Sequence, residues 1–110
     1  MRTDRELLEL AAKAAGINLE WDGDPTGWAP MYYEGKTYHV WNPLTDDGDA
    51  LRLAAKLKLG ITFGVGVTGC VRVWRNADWM QGNYSGDPCA ATRRAIVRAA
   101  AQIARELEAA

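Results

Sequence analysis

The sequence predicts an α+β fold: an antiparallel sheet of four or five strands packed by three helices, in the order α-β-β-α-β-β-α. Three observations carry this. Apolar residues recur at helical spacing in three stretches, each opened by a capping residue. Two runs alternate apolar and polar residues around glycine-bearing turns. The 110 residues are 48% hydrophobic and 25% charged, as in an ordinary folded domain, so residues 1–110 are read as one α+β domain. A domain of this size buries roughly two-thirds of its unfolded surface and needs no disulfide or metal staple.

The first helix opens at a capping box, Thr3-Asp4-Arg5-Glu6, in which the Thr3 hydroxyl accepts from the Glu6 amide. Leu7, Leu8, Ala11, Ala14 and Ala15 follow at helical spacing, and Gly16 supplies a left-handed end with Ile17 packed behind it. Residues 20–30 hold Asp, Gly and Pro around Trp21 and Trp28 and read as a loop anchored by its tryptophans. A hairpin follows, with Met31-Tyr32-Tyr33 and residues 36–41 flanking a turn at Glu34-Gly35.

The segment Trp41-Asn42-Pro43-Leu44-Thr45-Asp46-Asp47-Gly48-Asp49-Ala50-Leu51-Arg52-Leu53 compresses a strand end, a turn and a helix start into thirteen residues. Pro43 stops the strand, and Asp46 is placed to cap a second helix over residues 47–59. Ala50, Leu53, Ala54 and Leu57 form its inner stripe, and Gly60 with Ile61 is expected to end it as Gly16 and Ile17 end the first. In the second hairpin Ile61, Phe63, Val65 and Val67 share one strand face, and Thr62, Gly64, Gly66 and Thr68 the other. Thr68-Gly69 turns the chain into the returning residues 70–74. Residues 75–88 read as irregular, with a short strand near Tyr84. Asp87 and Pro88 open the last helix, whose apolar face is Ile96, Ala99, Ala100, Ile103, Ala104 and Leu107. Its alanines allow a close approach, and Gly64 and Gly66 are the expected place for it. The two hairpins are expected to merge into one sheet.

Composition also bounds function. A formal net charge of −1 argues against a protein devoted to neutralising phosphates. The opening residues lack an apolar signal segment, and no run approaches the roughly 18 apolar residues of a membrane span. The reading is a cytoplasmic protein with no membrane partner, its two cysteines, Cys70 and Cys89, reduced.

Three segments resemble a known group. Residues 41–54, from Trp41-Asn42-Pro43 through the aspartates to Ala54, look like the signature segment of small bacteriophage and prophage proteins of the "ABA sandwich" type. Residues 4–12 resemble their opening helix and residues 91–100 their closing one; residues 60–88 carry no such likeness. The resemblance implies a sheet held between helices. It implies a setting rather than a mechanism: phage infection, through host takeover, anti-defence action or phage gene control.

The candidate chemistry is sparse. Gly64-Val65-Gly66-Val67-Thr68-Gly69 matches G-x-G-x-x-G, but a dinucleotide site needs it between a strand and a helix, and here a strand follows. Asp46, Asp47 and Asp49 lack the alternating oxygens and distant glutamate of a calcium loop, so Trp41, Asn42, Pro43 and these aspartates read as structural, and no metal is expected. His39 is the single histidine, and no nucleophile stands in a recognisable motif, so no catalytic residue and no cofactor are assigned.

The arginines of the last helix are less easily explained. Arg94 and Arg98 repel one another at i, i+4, and Arg93 and Arg94 sit near a helix N-terminus, where cations are disfavoured. Carboxylate partners within the fold or an anionic partner outside it would each account for them. Five tryptophans exceed what a core this small needs, and Trp, Tyr and Arg dominate binding hot spots. The expected binding residues are therefore Arg93, Arg94, Arg98, Trp74, Trp79 and Trp28. The favoured function is non-enzymatic binding of a host or phage protein, one form being inhibition of a host defence complex as anti-CRISPR proteins do. The alternative is a nucleic-acid-binding regulator that uses the Arg93, Arg94 and Arg98 helix. Self-association as a homodimer, through the glycine-rich strand or the alanine-rich helix, stays open.

Overall fold

The structure is a computed structural model that describes residues 3–22, 29–64, 69–75, 78–83 and 86–109; the side chains of residues 22, 29, 78, 79 and 83 lie outside that description. The chain is α+β, and the described residues form three helices and two three-stranded antiparallel sheets. In order, the elements are α1 (Asp4–Ala15), β1 (Glu20–Asp22), β2 (Ala29–Glu34), β3 (Thr37–Val40), α2 (Asp47–Leu57), β4 (Gly60–Phe63), β5 (Cys70–Arg75), β6 (Asp78–Asn83) and α3 (Pro88–Ala109).

Two expectations are corrected here. The order is α-β-β-β-α-β-β-β-α, and the hairpins stay in separate sheets, β1-β2-β3 and β4-β5-β6. Each sheet closes on a sequence neighbour: β1 and β6 are the strands that the sequence hides. Three residues of β1 are too few for a period-of-two pattern to emerge. β6, Asp-Trp-Met-Gln-Gly-Asn, lacks β-branched residues, and pairing with β5 overrides its weak propensity. The loop assigned to residues 20–30 thus contains β1 and the start of β2, and the irregular segment 75–88 contains β6.

α1 behaves as its capping residues dictate. Thr3 Oγ1 accepts from the Glu6 amide at 3.2 Å. Gly16, at φ 72°, donates to Lys13 O, while the Ile17 amide donates to Ala12 O at 2.8 Å, which closes a Schellman turn. α2 uses the same turn without glycine. It ends at Leu57 rather than at residue 59, because Lys58 adopts the left-handed conformation at φ 56° and Leu59 donates to Ala54 O. Leu59 packs on the core as Ile17 does, which fixes where the chain must turn. Gly60 is left to open β4, against the Trp74 ring.

α3 is the element on which the rest assembles. One side packs on β5 and β6, and α1 and α2 pack on its other sides. Its buried residues include Ala95, Ala99, Ala100, Ala101 and Ala104 with Ile96, Val97 and Ile103. Leu107, assigned above to the apolar face, is instead 63% exposed. The closest approach of helix and sheet is at Gly82, where a Cβ would lie 3.0 Å from Ala91 O and 3.3 Å from Val71 Cγ1. That replaces the expected contact at Gly64, whose missing Cβ faces Cys70 instead; Gly66 lies outside the described residues.

Register explains the inner face of β4-β5-β6. Ile61 opposes Val73, which opposes Met80 in turn, and Phe63 opposes Val71, which opposes Gly82. Val71 and Val73 are fully buried under α3, whereas Phe63 overhangs it and is 56% exposed. The β1-β2-β3 sheet is held by side chains instead. Trp41 is 4% exposed within the core, and the Arg5 guanidinium sits 4.5 Å above the Trp21 ring, tying β1 to α1.

Lys58→Gly removes the left-handed penalty and should raise unfolding stability by roughly 0.5–1 kcal/mol in urea titration. Gly82→Ala should lower it by about 1–3 kcal/mol, since Ala91 O cannot retreat without moving α3.

Candidate functional site

The three aspartates of the Trp41–Asp49 segment have separate tasks. Asp46 caps α2, its Oδ2 accepting from the Asp49 amide at 2.8 Å. Asp49 is only 8% exposed, and reaches back over the turn: Oδ2 accepts from the Asn42 amide at 2.9 Å, and Oδ1 from Arg52 Nη2 at 2.7 Å. Asn42 folds the turn further, its Oδ1 accepting from the Leu44 amide and its carbonyl from the Thr45 and Asp46 amides. Pro43 is fully buried beside Trp41 in sequence. Asp47 faces α3, with Oδ1 2.6 Å from Arg93 Nη1, while Arg93 Nε donates to Leu44 O at 2.9 Å. Arg93 therefore clamps the start of α3 to this turn.

The hydrogen bond that Arg93 donates to Asp47 raises the pKa of its guanidinium above the ordinary value, as the bonds to Asp49 and Glu108 do for Arg52 and Lys13. None of these cations titrates near neutral pH.

The three arginines do not form one face. Arg93 points to α2. Arg94 Nη2 pairs with Asp4 Oδ1 at 2.9 Å, tying α3 to α1. Arg98 makes one long bond, 3.4 Å, to Gln81 O. Arg94 and Arg98 line a groove of about 550 Å3 between α1, β6 and α3, with Asp4, Met80 and Arg105. Arg105 was not singled out in the sequence, although Arg94, Arg98 and Arg105 stand at i, i+4 and i+11 on α3.

A second cleft of about 300 Å3 lies between α2, β4 and the first turns of α3. Leu51, Ile61, Phe63 and Ile96 line it, with Cys89 and Arg93. Leu51 is 65% exposed, so this cleft has apolar lips. No periodicity foretells it, because it forms where β4 overhangs α3.

Of the expected tryptophans, Trp74 stands on the outer face of β4-β5-β6, opposite the face that α3 covers. It is 44% exposed, and its indole N–H donates to Thr62 Oγ1 at 3.1 Å. Arg72 shares that face. Trp79 is opposite Trp74 in the β5–β6 register, while its side chain lies outside the described residues, as does all of Trp28. The remaining candidates are dispersed. His39 Nε2 is 3.6 Å from Glu34 Oε2, and its ring stacks on Tyr32 at 5.0 Å, on the other sheet from Trp74. The G-x-G-x-x-G stretch connects β4 to β5, two antiparallel strands, and its residues 65–68 lie outside the described residues. Among the described residues no three His, Cys, Asp or Glu side chains converge where a metal could sit. Cys70 is buried, Cys89 is exposed, and both are free. No helix of the described residues is long and apolar enough to cross a membrane.

No protein-family model matches the chain, and neither the curated proteins nor the solved structures yield a match.

Asp49→Ala strips the acceptor from the Asn42 amide and should cost roughly 1–3 kcal/mol in chemical denaturation. Asp49→Asn keeps an oxygen in place and should cost less, which separates the turn hydrogen bond from the Arg52 ion pair.

Proposed function

We propose that this protein is a non-enzymatic binding module that acts by docking on another protein. The observation that carries this is Trp74: a large aromatic, nearly half exposed, fixed by its bond to Thr62 on a sheet face that also bears Arg72. An aromatic anchor already held in one orientation loses little freedom on binding, which is what makes tryptophan and arginine the dominant residues of protein interfaces. Hydrogen bonding of the indole to Thr62 also leaves its apolar ring as the part offered to a partner.

The resemblance of residues 41–54 to small phage proteins gives the partner a setting, a host or phage protein. In that setting the module would act by occupying a surface, as an inhibitor of host defence or in host takeover. A nucleic-acid regulator built on Arg93, Arg94 and Arg98 has less support, because Asp47 and Asp4 already neutralise two of the three.

The test is affinity capture from a bacterial lysate, with and without nuclease, using the wild type and Trp74→Ala. A stoichiometric protein that survives nuclease and is lost with Trp74→Ala is the expected result, since an interface tryptophan typically contributes more than about 2 kcal/mol. Recovery that collapses with nuclease would transfer the function to nucleic acid.

A further inference from the structure

We propose that the groove between α1, β6 and α3 is a second docking site, which takes an acidic amphipathic helix of a partner protein. The inference rests on the reading of this chain as a binding module, and not on Trp74. Three arginines, Arg94, Arg98 and Arg105, stand along the α3 wall of the groove. Only Arg94 has a carboxylate partner, Asp4; among the described residues Arg98 and Arg105 have none within ion-pair distance. Like charges at i, i+4 oppose helix formation, and the single long bond of Arg98 to Gln81 O leaves most of its guanidinium donors unused among the described residues. An anionic ligand would relieve that repulsion.

The shape selects the ligand. Met80 from β6 and Leu7 from α1 give the groove an apolar floor, and the aliphatic stems of the arginines extend it. A volume of about 550 Å3 is sufficient for several side chains at once. Arg98 and Arg105 are seven residues apart on α3, which places their backbones about 10 Å apart along the axis. A helix lying in the groove presents carboxylates at that interval when they are seven residues apart, with apolar residues between them facing the floor. Nucleic acid fits less well. The described lining offers no aromatic ring for a base to stack on. A single acidic helix needs to satisfy only the two unpaired guanidiniums.

The experiment uses the full chain and a synthetic helical 18-residue peptide with two glutamates seven residues apart and leucines on the same face. The controls are a scrambled peptide of identical composition and a DNA duplex of equal charge. Fluorescence anisotropy should show binding of the patterned peptide that weakens with salt. Arg98→Ala/Arg105→Ala should weaken it about tenfold or more while the chain stays folded by circular dichroism, since among the described residues neither side chain pairs with a carboxylate and Arg98 loses only one long bond to Gln81 O. Trp74→Ala should leave it unchanged, so that loss of the sheet-face reading and loss of this one are told apart. Equal binding of the scrambled peptide, tighter binding of the duplex, no binding at all, or insensitivity to the double substitution would each overturn the proposal.

Discussion

The structure depends on how closely its neighbours can approach α3. Two helices and a sheet all pack on this one element. Large side chains there would push those partners apart and open voids between them. Alanine at 95, 99, 100, 101 and 104 removes that obstacle. Gly82 does the same from the sheet side, where helix and strand backbones nearly touch. Dispersion and area burial are therefore gained from backbone proximity rather than from bulky side chains. This explains how a chain with a single phenylalanine, itself exposed, still has a continuous core.

Polar clamps fix the angle of each partner on that helix. Arg93 holds the turn before α2 through Leu44 O and Asp47, Arg94 holds the start of α1 through Asp4, and Lys13 reaches Glu108 near the other end. Arg93 is the most sheltered of these, with a side chain 17% exposed against 48% for Arg94, so its bonds are the least screened by solvent. The Arg94 and Lys13 pairs, at exposed positions, add register more than energy. One consequence is a division of labour along α3. Arginines near its start are committed to ion pairs, and among the described residues Arg98 and Arg105 are not.

What the sequence reveals here is what local chemistry determines. The caps at Thr3, Asp46 and Asp87 are legible because a hydroxyl or carboxylate beside orphan amides has one sensible use. The hairpins are legible from turn residues and alternation. β6 is not, since Asp78–Asn83 owes its conformation to pairing with β5. Nor is the end of α2: the search for a glycine points to Gly60, while Leu59 needs burial and forces Lys58 into the left-handed turn. For the site, residue type correctly suggests that Arg93 and Arg94 need carboxylates, but only three dimensions show which ones. The overhang of Phe63 and the recruitment of Arg105 to a groove depend on where other elements end.

The pairing of the first helix with the last has a consequence for how the chain reaches this state. Asp4 meets Arg94 across 90 positions, and Lys13 meets Glu108 across 95. Leu8 and Ala11 have their covering surface on α3, which follows both sheets in chain order. During translation α1 therefore stays without its main partner until both sheets and then α3 have emerged. The β4-β5-β6 sheet is built from local contacts and can form earlier, but its buried valines wait for the same helix. Completion of the core thus waits on α3, and contacts of such long sequence separation close slowly.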